Sequence, residues 1–188
     1  MQDHRKVPHL RVIPGGLAEE RRIGAVIVRL GAMEALVPDL DAVVVEDDTF
    51  RLLSGEPILK EPVESLDELE RELTEFRAPA PGDVLVRGGE PLELVAIIHD
   101  LDQDPSWRLE WISSALAKVL ALAAERQIDT LAMPLLGTVH GKLKREKALA
   151  LLRTALEQHQ APWPRVLWLA VPRRDLPDTR HYLQRAAP

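Results

Sequence analysis

The order of apolar and polar segments along the chain predicts alternating strands and helices. Short apolar runs rich in β-branched residues indicate buried strands, and they cover Ala25–Leu30, Ala42–Val45, Val84–Val86, Leu94–His99, Leu131–Met133 and Val166–Val171. Apolar residues that recur at helical spacing predict a long helix from Leu109 to Arg126. This alternation predicts an α/β domain with three layers, in which helices cover both faces of a mixed, mostly parallel central sheet.

Further helices follow from local signals. The sequence Ser65-Leu66-Asp67-Glu68 has the pattern of a capping box and predicts a helix to about Phe76. Helical spacing also predicts helices over Lys144–His159 and Thr179–Gln184, and Asp104 or Ser106 is expected to cap the helix that starts near Leu109. No repeat or domain boundary is visible. We therefore expect one domain over residues 1–188, with residues 1–20 forming a loosely ordered extension.

Composition narrows the class of protein. The 188 residues include no cysteine, so neither a disulfide framework nor thiol chemistry is expected. The net charge is −6 and the charges are mixed along the chain, which is not typical of a nucleic-acid-binding surface. No segment has the length and apolarity of a signal peptide or a membrane span. The expectation is a cytoplasmic protein that binds neither nucleic acid nor membranes.

The segment Thr130–Gly141 carries the clearest chemical signal. A short apolar run ends at Pro134 and leads into a Gly-Thr-x-x-Gly loop, and a helical pattern starts at about Lys144. Such a loop suits a phosphate, because glycines let the backbone come close and a helix start offers unpaired N–H groups. The simpler alternative is that Gly137 and Gly141 only shape a tight turn between strand and helix.

These residues resemble the macro domain family. The sequence TLAMPLLGTVHGKL is similar to the second ligand loop of macro domains, and PGDVLV and LVAIIHDLDQDPSW are similar to two of the family's strands. The resemblance extends in order from about Gly24 to Val171. It implies a macro-like fold, in which two loops beyond the carboxyl ends of the strands hold ADP-ribose.

The chain departs from the family at the first of these loops. Where the family has D-A-I-V-N-A-A-N, residues Asp41–Asp48 have the sequence DAVVVEDD, so the asparagine that holds the distal ribose and assists hydrolysis is missing. The following loop, Leu53–Pro57, keeps one glycine, and Gly31–Met33 lacks the aspartate that meets adenine. The aromatic residue after the last strand is replaced at about Leu176. Ordinary macro-domain catalysis is therefore not expected.

The expected ligand site combines both loops. Its residues are Gly137, Thr138, Val139, His140 and Gly141, with Asp47 and Asp48 on the opposite wall of the cleft. His140 could donate a hydrogen bond to a phosphate or act as an acid or base, although a solvent-facing loop histidine is the alternative. Glu46–Asp48 would favour a ligand of lower negative charge or a ligand that carries a metal ion. No catalytic residue, metal ligand or cofactor is expected.

The functional hypothesis is a divergent macro-like module that binds ADP-ribose, or a related nucleotide diphosphate or anion, without catalysis. Two alternatives stay open. One is a scaffold with a closed pocket that associates with a protein partner, and the other is an ADP-ribosyl hydrolase with a rearranged site. If the loop is the ligand site, we expect Gly137→Val to abolish binding while it spares the fold.

Overall fold

A computed structural model describes residues 20–33, 39–53 and 79–185. Its centre is a seven-stranded sheet, whose strands are β1 (Glu20–Ile23), β2 (Val26–Ala32), β3 (Ala42–Asp48), β4 (Val84–Arg87), β5 (Leu92–His99), β6 (Thr130–Pro134) and β7 (Val166–Val171). The spatial order is β1-β2-β7-β6-β3-β5-β4. The outer pairs β1–β2 and β4–β5 are antiparallel and the four inner pairs are parallel. The prediction of a mixed, mostly parallel sheet is confirmed.

All six predicted strands lie in this sheet, and β1 is additional. The sequence of β1 is ERRI, and its three charged residues hide it from a search for apolar runs. It pairs only with β2 at the edge of the sheet, where one side of the strand faces away from the protein. Charged residues are common on such edges because they discourage pairing with another chain.

Three described helices pack with the sheet: α1 (Leu109–Glu125), α2 (Arg145–Gln158) and α3 (Leu176–Arg185). The buried side of α1 contains Ile112, Leu116 and Val119, at the spacing that the sequence predicted. These side chains join one apolar cluster with alternate residues of β5, including Leu94 and Ile98. Each fully buried side chain of this size stabilises the fold by roughly 1.5–3 kcal/mol, so this cluster fixes α1 against the strands that lead to the site.

The start of α1 differs from the prediction. Arg108 occupies the N-cap position and no side chain caps the helix there, so the expected capping by Asp104 or Ser106 is wrong. Both residues lie too far before the first helical turn. The Ser106 hydroxyl lies instead 3.1 Å from Nδ1 of His99, at the end of β5.

The predicted helix from Ser65 to Phe76 lies outside the described residues, as do residues 54–57 of the loop Leu53–Pro57. Of the extension predicted for residues 1–20, only Glu20 is described, and it begins β1. Among the described helices, none is long and apolar enough to cross a lipid bilayer.

Candidate functional site

A cavity of about 530 Å³ lies along the carboxyl-terminal halves of four parallel strands, β2, β3, β6 and β7. Its walls are mainly apolar, and they include Gly31, Val43, Val45, Ala132, Trp168 and Ala170. Glu46 from β3 and His140 from the loop after β6 are the titratable side chains among its described lining residues. A smaller cavity of about 230 Å³ adjoins it and shares Met33, Val139 and Ala170. Ligands of open α/β sheets bind at this edge of the sheet.

The loop after β6 is a tight turn held by its own hydrogen bonds. Both the N–H and the hydroxyl of Thr138 donate to the carbonyl of Leu135, at 3.2 and 2.7 Å. The N–H of Leu143 donates to the carbonyl of Gly137 at 2.9 Å, where Gly137 has φ +78°. A Cβ on Gly141 would lie 2.5 Å from the Trp107 ring and 2.7 Å from the Gly137 carbonyl. Both glycines are therefore required by the shape of the turn.

The loop directs two backbone N–H groups at a protein carboxylate. The N–H of Gly137 donates to Oε2 of Glu46 at 2.8 Å, and the N–H of His140 donates to Oε1 at 3.3 Å. The Glu46 side chain is only 5% exposed. Glu46 thus holds the end of β3 against the loop, and its carboxylate accepts the donors that were expected to bind a ligand phosphate.

Two histidines surround the same carboxylate. Nε2 of His99 lies 3.6 Å from Oε1 of Glu46, and Nε2 of the half-exposed His140 lies 4.0 Å from the same atom. The separation of 3.6 Å is too long for a good hydrogen bond, and the buried Nε2 of His99 has no hydrogen-bond partner among the described residues. The two rings meet edge to face, with centroids 6.3 Å apart. Among the described residues, no group of three or more histidine, aspartate or glutamate side chains is arranged to hold a metal ion.

This environment keeps Glu46 ionised. Burial by itself would raise the pKa of the Glu46 carboxyl. The interaction with His99 and the hydrogen bonds from the N–H groups of Gly137 and His140 lower it, and the net result is a pKa below its usual value. Hydrogen bonds to a charged form stabilise that form. The cavity therefore ends at a fixed negative charge.

Asp47 and Asp48 do not line the cavity, and the expectation that they form its wall is revised. Both are fully buried. The Asp48 carboxylate accepts the N–H groups of Phe50, Leu52 and Leu53, and the Asp47 carboxylate accepts those of Asp48 and Leu53. Short acidic side chains commonly accept such bonds from the turn that follows them. Their carboxylates organise the loop after β3.

Of the expected loop residues, Val139 and His140 line the cavity. Val139 is 47% exposed. Thr138 lies beside the smaller cavity, but its hydroxyl hydrogen is directed at Leu135. Gly137 is buried, and a Cβ there would lie 2.8 Å from Cδ1 of Ile112. Because its φ is also positive, Gly137→Val would strain the fold, so the expectation that this change spares the fold is revised.

Sequence reasoning missed the contact between Glu46 and the loop, and the roles of His99 and Ser106. The sequence nevertheless contained a signal that Glu46 and His99 lie close together. Glu46 and His99 end two runs of apolar residues, and the parallel strands β3 and β5 are neighbours that bring these ends together. Polar residues at the ends of adjacent parallel strands are candidates for one site.

The fold and the position of the cavity define an α/β protein with a cleft at the carboxyl edge of its sheet. The family model described as Macro domain matches residues 60–152. A comparison with curated proteins found no match.

Solved macrodomain structures share the fold. A mutant of the Oceanobacillus iheyensis macrodomain with ADPR has a TM-score of 0.64 at 12% identity, over 89% of this chain and 97% of that one. The macrodomain of Thermus aquaticus DarG has a TM-score of 0.55 at 17% identity, over 77% and 98% of the two chains. The GDAP2 macro domain has a TM-score of 0.57 at 15% identity, over 83% and 81%. The match of the family model supports membership of the macro domain family, and these likenesses show that the chain has the macrodomain fold.

Proposed function

We propose that this protein is a binding module for ADP-ribose, or for a nucleoside or nucleotide related to it, and that it does not hydrolyse its ligand. The observation that carries the proposal is the cavity of about 530 Å³ between the end of β3 and the loop Gly137–Gly141. Ligand pockets have volumes of roughly 300–1,000 Å³ and are lined mainly by apolar and aromatic side chains. The solved macrodomain that carries ADPR supports the same class of ligand.

The absence of hydrolysis rests on the chemistry of the cavity. A hydrolase needs a group that can activate water or protonate the leaving group within reach of the ligand. Among the described lining residues, Glu46 already accepts hydrogen bonds from the N–H groups of Gly137 and His140. Asp47 and Asp48 are buried and accept N–H groups of their own loop. His140 is then the titratable group left facing the cavity. Its Nε2 lies 4.0 Å from Oε1 of Glu46, which is too far for the hydrogen bond that would orient the ring as a base.

Isothermal titration calorimetry with adenosine, AMP and ADP-ribose tests the binding. Ala170 lines both cavities, so Ala170→Phe adds a ring where the ligand must lie. Ala121 is exposed on α1, away from the site, and Ala121→Phe is the matched control. We expect at least one of the three ligands to bind the parent protein. Its affinity should fall about tenfold or more in Ala170→Phe and stay unchanged in Ala121→Phe.

Three results would contradict the proposal. Binding that Ala170→Phe leaves unchanged would place the ligand elsewhere. Steady release of ADP-ribose from an ADP-ribosylated protein, lost in Ala170→Phe, would support the rearranged hydrolase. If none of the three ligands binds, the scaffold for a protein partner becomes the better hypothesis.

A further inference from the structure

The acidic run Glu46–Asp48 supplies acceptors for the N–H groups of both loops at this edge of the sheet. Glu46 accepts from Gly137 and His140 in the loop after β6. Asp48, with Asp47, accepts from the loop after β3, including its residues Phe50, Leu52 and Leu53. Three consecutive carboxylates of the chain therefore accept N–H groups from these two loops.

Glu46 is the member of this run that borders the cavity. Its oxygens lie 2.8 and 3.3 Å from the two N–H donors, which are distances at which a phosphate oxygen would also lie. A phosphate could reach these donors only by displacing the side chain. A phosphate beside it would face an ionised carboxylate in a site that is poorly screened by water.

The surroundings of Glu46 oppose its displacement. The carboxylate is buried, its pKa is lowered, and His99 lies behind it with Nδ1 directed at Ser106. Moving Glu46 out would leave the N–H of the buried Gly137 without its acceptor until the anion arrived. Leaving such a group unsatisfied costs about 1–3 kcal/mol.

We propose that Glu46 is a specificity-determining residue: its carboxylate occupies the anion position of the Gly137–His140 loop, so that the cavity selects a nucleoside or another ligand without a diphosphate. The choice of a nucleoside rests on the proposed function. The exclusion of an anion from the loop does not, because it follows from the hydrogen bonds of Glu46 alone.

Two substitutions separate the size of Glu46 from its charge. Glu46→Ala removes the side chain and frees both N–H groups, whereas Glu46→Gln keeps the volume and removes the charge. Glu157→Ala is the control, since Glu157 is half exposed on α2 and pairs with Arg153. Each protein is titrated with adenosine, ADP-ribose and inorganic pyrophosphate, and circular dichroism verifies the fold.

We expect ADP-ribose to bind Glu46→Ala at least tenfold more tightly than it binds the parent protein, with Glu46→Gln between them. Pyrophosphate should bind Glu46→Ala and not the parent protein or Glu157→Ala. The affinity for adenosine should change less than threefold across the set. This pattern would identify Glu46 as the group that excludes the diphosphate.

The inference is overturned if the parent protein and Glu46→Ala bind ADP-ribose within twofold of each other. It is equally overturned if pyrophosphate binds the parent protein and shifts the NMR signal of the Gly137 amide. That second measurement needs no variant, so it decides the question even if neither Glu46 variant folds. If no nucleoside or nucleotide binds any variant but pyrophosphate binds Glu46→Ala, the proposed function fails and the role of Glu46 stands.

Discussion

Glu46→Gln should destabilise the fold because it removes a buried charge that two backbone N–H groups depend on. A hydrogen bond to a charged acceptor contributes about 1.5–3 kcal/mol, and Glu46 accepts two such bonds. Glutamine keeps one accepting oxygen and presents an NH₂ group toward the other donor. Part of the loss is offset because a neutral amide is less costly to bury than a carboxylate. We therefore expect a net loss of about 1–3 kcal/mol in the free energy of unfolding at neutral pH.

The effect should depend on pH in a defined direction. The pKa of Glu46 is lower in the folded protein than its usual value. A group of this kind contributes stability above its unfolded pKa, about 4.3 for glutamate, and loses it as the pH falls through the folded pKa. Protonation brings the parent protein closer to the variant in charge. The difference between them should therefore be largest near neutral pH and shrink below about pH 4.

Urea denaturation followed by circular dichroism, at about pH 7, 5 and 3.5, measures this difference. Glu157→Gln provides the control, since its ion pair with Arg153 is half exposed, and it should cost less than about 0.5 kcal/mol. A loss in Glu46→Gln no larger than that of the control would refute the structural role of Glu46. A loss that stays constant down to pH 3.5 would refute the assignment of an ionised carboxylate.

Two further predictions concern the loops. Gly141→Ala should destabilise the fold by about 1–3 kcal/mol in urea denaturation, because the added methyl would meet Trp107 and the Gly137 carbonyl. Gly88→Ala is the control, because its Cβ would have no neighbour within 4 Å, and it should change the free energy of unfolding by less than about 0.5 kcal/mol. Equal losses of stability in the two variants would contradict the packing at Gly141. Asp48→Ala removes the acceptor of three N–H groups, so the amide of Leu52 should exchange its hydrogen about tenfold faster or more; an unchanged exchange rate would show that the carboxylate does not order the loop.

The strands could be predicted from sequence because most of them are buried inside a parallel sheet. Val166–Val171 was predicted with its observed boundaries, since its apolar run coincides with the strand. The end of β3 was missed: the predicted strand stops at Val45, whereas β3 continues through Asp48. Acidic residues usually mark the end of a buried strand, and these three are buried because backbone N–H groups satisfy their carboxylates.

The position of the cleft could also be predicted, because the loop after Pro134 follows a buried strand and precedes a helix. The residue that accepts the hydrogen bonds of that loop could not be predicted. Gly137 and Glu46 are separated by 91 positions in the chain, and no local pattern states which oxygen will accept a given N–H. Trp107 is a similar case, since it is distant from Gly141 in the chain and only the fold brings its ring beside that residue.

The hydrogen bonds from Gly137 and His140 to Glu46 also have a consequence for how binding is detected. A phosphate loop that is empty without its ligand gains order when the ligand arrives, and the NMR signals of its amides report that change. Here the loop is already ordered by an acceptor within the same chain. A ligand that leaves Glu46 in place should therefore change the amide signals of Gly137 and His140 little, whereas its effect on the melting temperature follows from its affinity alone. Binding of such a ligand is better followed at the Trp168 side chain, which lines the cavity.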